Sequence, residues 1–370
     1  MKLTYRDKEW DLKGGLTARA AIEKLGLDPE AVLVVRNDKL ITDDTVLQEG
    51  DEVKLIAVIS GGMGGSAGCR RCGMPAAVNM RQHKLSLCGE HFTAWFMSYT
   101  ERIIEDYRMF GRDDRVLVAV SGGKDSLALW DILLRLGYEV QGLHIDLGIG
   151  DGEYSAQSRA MVERFAARRS SASFRVVEVK SGYGKSVPEL TLEKRGRKAC
   201  SLCGLVKRHV MNREAYEGGF GAVATGHNLD DEAAVLLQNA LRWQTGYLAR
   251  QAPVLPSTHP RLARKVKPFF RFYERETAAY TLLRGIDYIY DECPYAKGAT
   301  TILYKELLNQ LEARSRGAKQ QFYLSFLQAR AKQGLFLRDA EELELGECER
   351  CGQPTTAPEL CAFCRLWEAG

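Results

Sequence analysis

The chain has 370 residues, 45% of them hydrophobic, ten cysteines and a formal net charge of +4 at pH 7. That length can bury a full core and hold two or more domains. No apolar run approaches the roughly 18 residues of a membrane-spanning helix, and the charged start MKLTYRDKEWDL lacks a signal peptide's apolar stretch; these features exclude a membrane partner and point to the cytoplasm.

Charge is unevenly spread. Residues 1–62 carry 9 Lys and Arg against 12 Asp and Glu, and the remainder carries 43 against 36. An acidic unit precedes a basic one, which suits two functions, the second involving a polyanion, although such an excess over so long a stretch is also ordinary.

Within the acidic unit, KLTYRDKEWDL alternates like a strand and TARAAIEKLGL forms a short helix with Thr17 as N-cap and Gly26 as its stop. AVLVVRNDKLI follows as strand, Asn37-Asp38 turn and strand, and DEVKLIAVI closes the unit. The last strand runs into Gly61-Gly62. This order and tail resemble the ubiquitin-related β-grasp sulfur carriers that serve thiamin, molybdopterin and tRNA thiolation; the alternative is a glycine linker, SGGMGGSAG, after an unrelated small domain.

Cysteines in a chain without a secretion signal point to metal or redox chemistry. Cys69-x2-Cys72 and Cys88-x2-His91, fifteen residues apart, have structural zinc spacing, and such closed four-ligand shells hold fold rather than perform chemistry. Next, DRVLVAVSGGKDSLALWDIL runs from an apolar strand into Ser121-Gly122-Gly123-Lys124-Asp125-Ser126 and a helix. The glycines permit a tight turn, and N–H groups at the helix start form an anion nest for phosphates. Walker A spacing is absent; the loop matches the SGGxDS signature of the ATP pyrophosphatases, the PP-loop.

Residues 138–150, 174–179, 220–228 and 286–290 are further strand candidates alternating with helices, which predicts an α/β fold with a doubly wound parallel sheet. Ligands of such sheets lie at the carboxyl ends of the strands, where Ala119, the SGGKDS loop, His144, Ile145 and Gly226 converge. In TGHNLDDEAAV, Asp230 and Asp231 either hold Mg2+ against a triphosphate or cap a helix. The segment KACSLCGLVKRHV reads as a helix from about residue 200, and at about 100° per residue Cys200, Cys203 and Lys207 share one face. The two thiols also suit plain packing. From Arg242 to Tyr273 seven basic residues interleave with Trp243, Tyr247, Phe269, Phe270, Phe272 and Tyr273, without one acid. That pattern suits RNA, or equally a loop whose aromatics belong to the core. Cys293 stands apart in YDECPYAKGAT. Cys348, Cys351, Cys361 and Cys364 make a second zinc set, with a rubredoxin-like iron as the alternative.

From Cys69 to Cys364 these motifs, in this order, resemble the PP-loop tRNA 2-thiolation enzymes. The resemblance implies a PP-loop domain (96–340) flanked by zinc ribbons (69–95 and 345–370), preceded by the α+β β-grasp unit (1–62) and a linker (63–68). It implies adenylation of the C2 oxygen of a tRNA uridine, with Asp125, Asp231 and Lys207 catalytic, and ATP, Mg2+ and two Zn2+ bound. Sulfur transfer then follows. Cys200, Cys203 and Cys293 would hold a [4Fe-4S] cluster; a persulfide on one of the helix thiols is the rival route. Its partners would be tRNA, a sulfur carrier, an E1-like activating enzyme and an upstream cysteine desulfurase, with assembly as a homodimer. The T-loop 5-methyluridine is the expected target, with a wobble uridine, a cytidine or a non-catalytic tRNA-binding zinc scaffold as alternatives. One departure stands out: carriers use a terminal glycine, yet Met63 follows Gly62. Cleavage after Gly62, a docking-only domain, or a separate start at Met63 would each resolve it.

Overall fold

The computed structural model describes residues 1–27, 29, 32–57, 68–194, 198–296, 299–336 and 345–367. Gly61, Gly62 and most of the linker lie outside them. Strands β1 (Lys2–Tyr5), β2 (Lys8–Asp11), β3 (Val32–Arg36), β4 (Lys39–Ile41) and β5 (Glu52–Ala57) and helix α1 (Ala18–Lys24) form the first unit. Sheet order is β2-β1-β5-β3-β4, with β1 and β5 parallel at the centre. Local chemistry sets these elements. Thr17 caps α1 by accepting the Ala20 N–H at 3.2 Å, and Gly26, with φ of +71°, ends it. Asn37 and Asp38 both take positive φ, as a two-residue hairpin turn requires.

A zinc-knuckle hairpin, β6 (Val78–Met80) and β7 (Leu85–Leu87), leads into α2 (Gly89–Asp106). Phe92 and Phe96 of α2 are fully buried against the next layer, so knuckle and body share one helix.

The body alternates strand and helix: β8 (Val116–Ala119), α3 (Lys124–Arg135), β9 (Val140–Asp146), α4 (Glu153–Ala167), β10 (Ser173–Glu178), α5 (Val179–Tyr183), α6 (Val187–Glu193) and α7 (Ala199–Glu217). Then come β11 (Ala222–Ala224), α8 (Leu229–Leu241), α9 (Thr245–Arg250), β12 (Val254–Leu255), β13 (Arg264–Val266), α10 (Glu274–Leu283), α11 (Thr300–Arg314) and α12 (Ala318–Gln333). Sheet order is β10-β9-β8-β11-β13-β12, parallel except for β12. Val116 and Val118 of β8, and Val120 just after it, enter the core under α2, α3 and α10, whereas Leu117 enters the core under α7. Both faces are therefore covered, as a parallel sheet requires. A last hairpin, β14 (Gly346–Glu347) and β15 (Pro354–Thr355), carries the second knuckle.

Two expectations change. Residues 286–290 are not a strand: Ile286 and Tyr288 are buried, and the Ile289 N–H donates to the Gly122 carbonyl at 3.0 Å, so this segment braces the SGGKDS turn instead. The fifth parallel strand is β13, inside the basic, aromatic stretch. Phe269, Phe270, Phe272 and Tyr273 are core residues at 0–1% exposure, leaving Trp243 and Tyr247 on the surface.

The first unit packs on the body. Leu33 and Ile56 join the main core beside Val35 and Leu40, the Arg275 guanidinium donates to the Pro29 carbonyl at 3.3 Å, and Arg6 pairs with Glu292 at 3.1 Å. Tyr5 pairs with Leu55 in the parallel register, so Arg6 and the end of β5 lie at the same edge, beside Glu292 and Cys293.

Deep in the body Lys319 and Asp230, at 0% and 1% exposure, pair at 2.5 Å. Asp230 also accepts the Glu274 N–H at 2.8 Å. Lys319→Met should lower stability by about 3–5 kcal/mol, because it leaves a buried carboxylate without its cation. Urea denaturation checks this; an unchanged midpoint would contradict the assignment of the pair to the core.

Candidate active site

The site grows from the turn after β8. Gly122 has φ of +76°, and a Cβ there would sit 2.4 Å from the Ser158 carbonyl oxygen. Gly226 faces the same turn from β11: its Cβ would lie 2.7 Å from the Asp125 carbonyl carbon. Only glycine allows these approaches. Ser126 Oγ accepts the Ser121 N–H at 3.1 Å and donates to the Gly123 carbonyl at 3.0 Å, locking the turn at the start of α3.

A cavity of about 340 Å³ opens here. Ala119, Ser121, Asp125, Ser126, His144, Ile145, Gly226 and Asp231 line it together with Cys203, Lys207 and Cys293. The expected nucleotide residues and two of the three chain-distant cysteines thus share one chamber. Gly122, Gly123 and Lys124 build the turn without lining the cavity. Cys200 is exposed and its thiol donates to the Tyr295 carbonyl at 3.2 Å, two residues past Cys293.

Inside the cavity, His144 donates through Nδ1 to the Val120 carbonyl at 2.9 Å; burial lowers its pKa, so the ring is neutral and its Nε2 has no protein partner. Burial pushes the Cys203 thiol up, and Lys207 pulls it back. Cys203 and Cys293 line the same cavity, and Cys200 reaches the backbone two residues past Cys293, so the three cysteines lie in one region. They are not a compact single-ion set, since among the described residues only the two zinc-type groups bring their ligand atoms within 4.8 Å of one another. A cluster holds its cysteine ligands farther apart than one ion does.

Carboxylates and lysines interlock behind the phosphate turn. Asp125 accepts from Lys124 at 3.0 Å, from Asn228 at 3.3 Å and from Thr277. Lys124 reaches Glu274 at 2.7 Å, and Lys305 bridges Glu274 at 3.2 Å and Asp231 at 2.6 Å. Burial disfavours the Asp231 carboxylate, yet Lys305, His227 and the Asn228 N–H together outweigh it and hold its pKa well below the usual range. For Lys124, burial is outweighed by Asp125 and Glu274, which raise its pKa. Asp231 also caps α8 by accepting the Asn228 N–H at 3.0 Å while it lines the cavity, so capping and facing the ligand site are not exclusive here. Asp230 points away from the cavity toward Lys319. Glu274, Thr277 and Lys305 carried no sequence signal, being ordinary polar positions of helices; Asn228 was legible as the first member of an N-x-x-D cap.

Helix α7 begins at Ala199, as expected, and presents Cys203 and Lys207 to the cavity. The second knuckle holds its back: His209 stacks on Phe363 with ring centres 3.6 Å apart, and Asn212 bonds the Arg261 carbonyl at 2.9 Å and Gln353. In the first knuckle Cys69 and Cys88 lie 3.5 and 3.2 Å from His91 Nδ1, and Cys72 lies 3.8 Å from Cys88. Ligands about 2.3 Å from a tetrahedral zinc are about 3.8 Å apart; with Cys351 3.7 Å from Cys361 in the second knuckle, both donor sets fit the ion. No described helix is long and apolar enough to cross a membrane.

Comparisons with known proteins agree with this construction. Residues 1–62 match the ThiS family, residues 69–93 the N-terminal LIM domain of 2-thiouridine synthetase TtuA, and residues 97–300 the PP-loop domain. A tRNA-5-methyluridine(54) 2-sulfurtransferase of Thermus thermophilus is 55% identical over 301 residues, covering 81% of this chain and 91% of that protein. The enzyme of that name from Thermotoga maritima is 44% identical, covering 80% and 95%. Among solved structures, the U34-tRNA thiolase NcsA from Methanococcus maripaludis, with its [4Fe-4S] cluster, superposes with a TM-score of 0.66 at 22% identity over 81% of this chain and 95% of that one; this likeness concerns the fold. Being 55% identical to such an enzyme over 301 aligned residues, which span 91% of that enzyme's length, the chain belongs to the tRNA-5-methyluridine(54) 2-sulfurtransferase family of PP-loop enzymes, with a ThiS-family domain fused in front.

Proposed function

We propose that the chain thiolates the T-loop 5-methyluridine of tRNA at C2, in the cytoplasm. The single cavity that joins the SGGKDS turn to Cys203, Lys207 and Cys293 supports this most strongly, since activation and sulfur delivery must meet at one carbon. The acting units are the carrier domain (1–62), its linker (63–68), the zinc units (69–95 and 345–370) and the thiolation domain (96–340).

Oxide is too poor a leaving group to be displaced from C2. The uridine O2 therefore attacks the α-phosphorus of ATP, the bond to pyrophosphate breaks, and an O2-adenylate forms. The turn from Ser121 to Ser126 offers N–H groups to the phosphates, and Asp125 and Asp231 would receive the nucleotide's Mg2+. Lys207 neutralises charge on the α-phosphate and base. Hydrosulfide then adds to C2, the C2–O bond breaks, and AMP leaves. Cys200, Cys203 and Cys293 would hold a [4Fe-4S] cluster, which supplies an iron free of protein ligands to carry the sulfide. Two zinc ions would fill the knuckles. The fused domain would supply sulfur from a thiocarboxylate at Gly62, charged by an E1-like enzyme and a cysteine desulfurase, and the enzyme would work as a homodimer.

The half-reactions should come apart by mutation. Asp125→Ala and Asp231→Ala should abolish tRNA-dependent AMP formation, and Lys207→Ala should weaken it by roughly 100-fold. Cys200→Ala and Cys293→Ala should block thiolation while ATP binding persists. Cysteine variants that lost ATP binding as fully as the aspartate variants would contradict the division of roles.

Thiocarboxylate chemistry also requires a free Gly62. Intact mass of the protein from its own host should show a fragment ending at Gly62 and an enzyme beginning at Met63. A host that thiolates its tRNA while holding only the full-length chain would overturn delivery by this domain's own tail.

A further inference from the structure

Lys305 is a cation in an unusual place. Its side chain is 13% exposed, and its ammonium lies 2.6 Å from Asp231 Oδ1 and 3.2 Å from Glu274 Oε2. The other Asp231 oxygen is engaged by the Asn228 N–H at 3.0 Å. An ion entering the cavity toward Asp231 therefore meets an oxygen already held by a lysine. The local charges are Asp125, Asp231 and Glu274 against Lys124 and Lys305, one negative charge in excess.

We infer that Lys305 is the resident counter-cation of Asp231, which the nucleotide's divalent ion must displace, and that Glu274 keeps the displaced ammonium beside the triphosphate. The inference rests on the reading of Asp231 as the carboxylate that receives the metal. Two cations at one carboxylate oxygen repel each other strongly at that distance, which favours exchange over sharing. Lysine suits the exchange: its charge is a point on a flexible four-carbon stem. Glu274 suits the retaining role because its first oxygen is fixed by Lys124 at 2.7 Å, its backbone N–H by Asp230, and its side chain is nearly fully buried. Lys305 is thus a positioning residue: it acts through Asp231, keeping the carboxylates balanced before nucleotide arrives and adding a charge near the phosphates afterwards.

Competition has a direct readout in the absence of ATP. Mn2+ can replace Mg2+, and its free signal in electron paramagnetic resonance reports binding to the zinc-loaded, full-length protein. Lys305→Met should bind Mn2+ at least about tenfold more tightly than the unaltered protein, because the competing charge is gone. Lys305→Gln, which keeps an amide donor for Asp231 and serves if the methionine variant folds poorly, should show the same gain. Lys305→Arg should stay within about threefold. No gain in either neutral variant overturns the inference. The reading beneath it is separable: Asp231→Asn should abolish the gain in a Lys305→Met background. A gain that survives in the double variant places the ion elsewhere and sinks the metal role of Asp231. A weakened Mn2+·ATP complex in Asp231→Asn alone, beside unchanged Lys305 variants, keeps that role and rejects the competition.

Discussion

Four elements far apart in the chain are tied together by one run of charges set around the buried Glu274: Lys124 at the start of α3, Glu274 at the start of α10, and the partly buried Lys305 on α11 and Asp231 in the first turn of α8. A carboxylate or ammonium away from water is tolerable only when paired, so none of these helices can shift without exposing a partner to an unbalanced field. The pairing fixes the phosphate turn against the carboxylates opposite it. It also anchors α11, which follows the Cys293 segment, so the phosphate turn and Cys293 are referenced to the same polar frame. Such a frame adds little net stability compared with an apolar core. Its value is geometric.

Helix α7 is positioned by different means. Cys200, Cys203 and Lys207 come from one helix whose back is clamped by the second zinc knuckle, through the His209–Phe363 stack and the Asn212 hydrogen bonds. Metal binding at Cys348, Cys351, Cys361 and Cys364 would make that clamp rigid. Meanwhile the fused domain leaves the edge shared by Arg6 and the end of β5 beside Glu292 and Cys293. An exposed pair such as Arg6–Glu292 contributes only about 0–1 kcal/mol, so the buried Leu33 and Ile56 carry most of that docking.

Much of this was legible in the sequence, because turns and caps announce themselves. Thr17, Gly26 and the Asn37-Asp38 pair fixed the first unit, the SGGKDS turn needed its glycines, and the zinc spacings marked closed donor sets. Three features were not legible, each for a physical reason. Helix α11 is turned against its apolar pattern: Leu303, Leu307 and Leu311 are about half exposed, while Leu308, Glu312 and the Lys305 side chain face inward. Glu274, Arg275, Glu276 and Thr277 look like a solvated first turn, yet all four are buried, because the partners that satisfy Glu274 and Thr277 lie more than 30 residues away in sequence. Residues 286–290 have strand composition, but their backbone is spent on Gly122 rather than on a ladder. Periodicity reports burial only when the core is apolar, and here part of it is ionic.

The central claim is that activation and sulfur transfer act on one carbon in one cavity. The most direct measurement supplies anaerobically purified protein with ATP, Mg2+, sulfide and unmodified-sulfur tRNA, and quantifies both AMP and the thiolated nucleoside, mapping the latter to its position by mass spectrometry of nuclease fragments. The account predicts one AMP per sulfur introduced, all of it at the T-loop 5-methyluridine. AMP release without thiolation, or sulfur appearing at the wobble uridine instead, would contradict it.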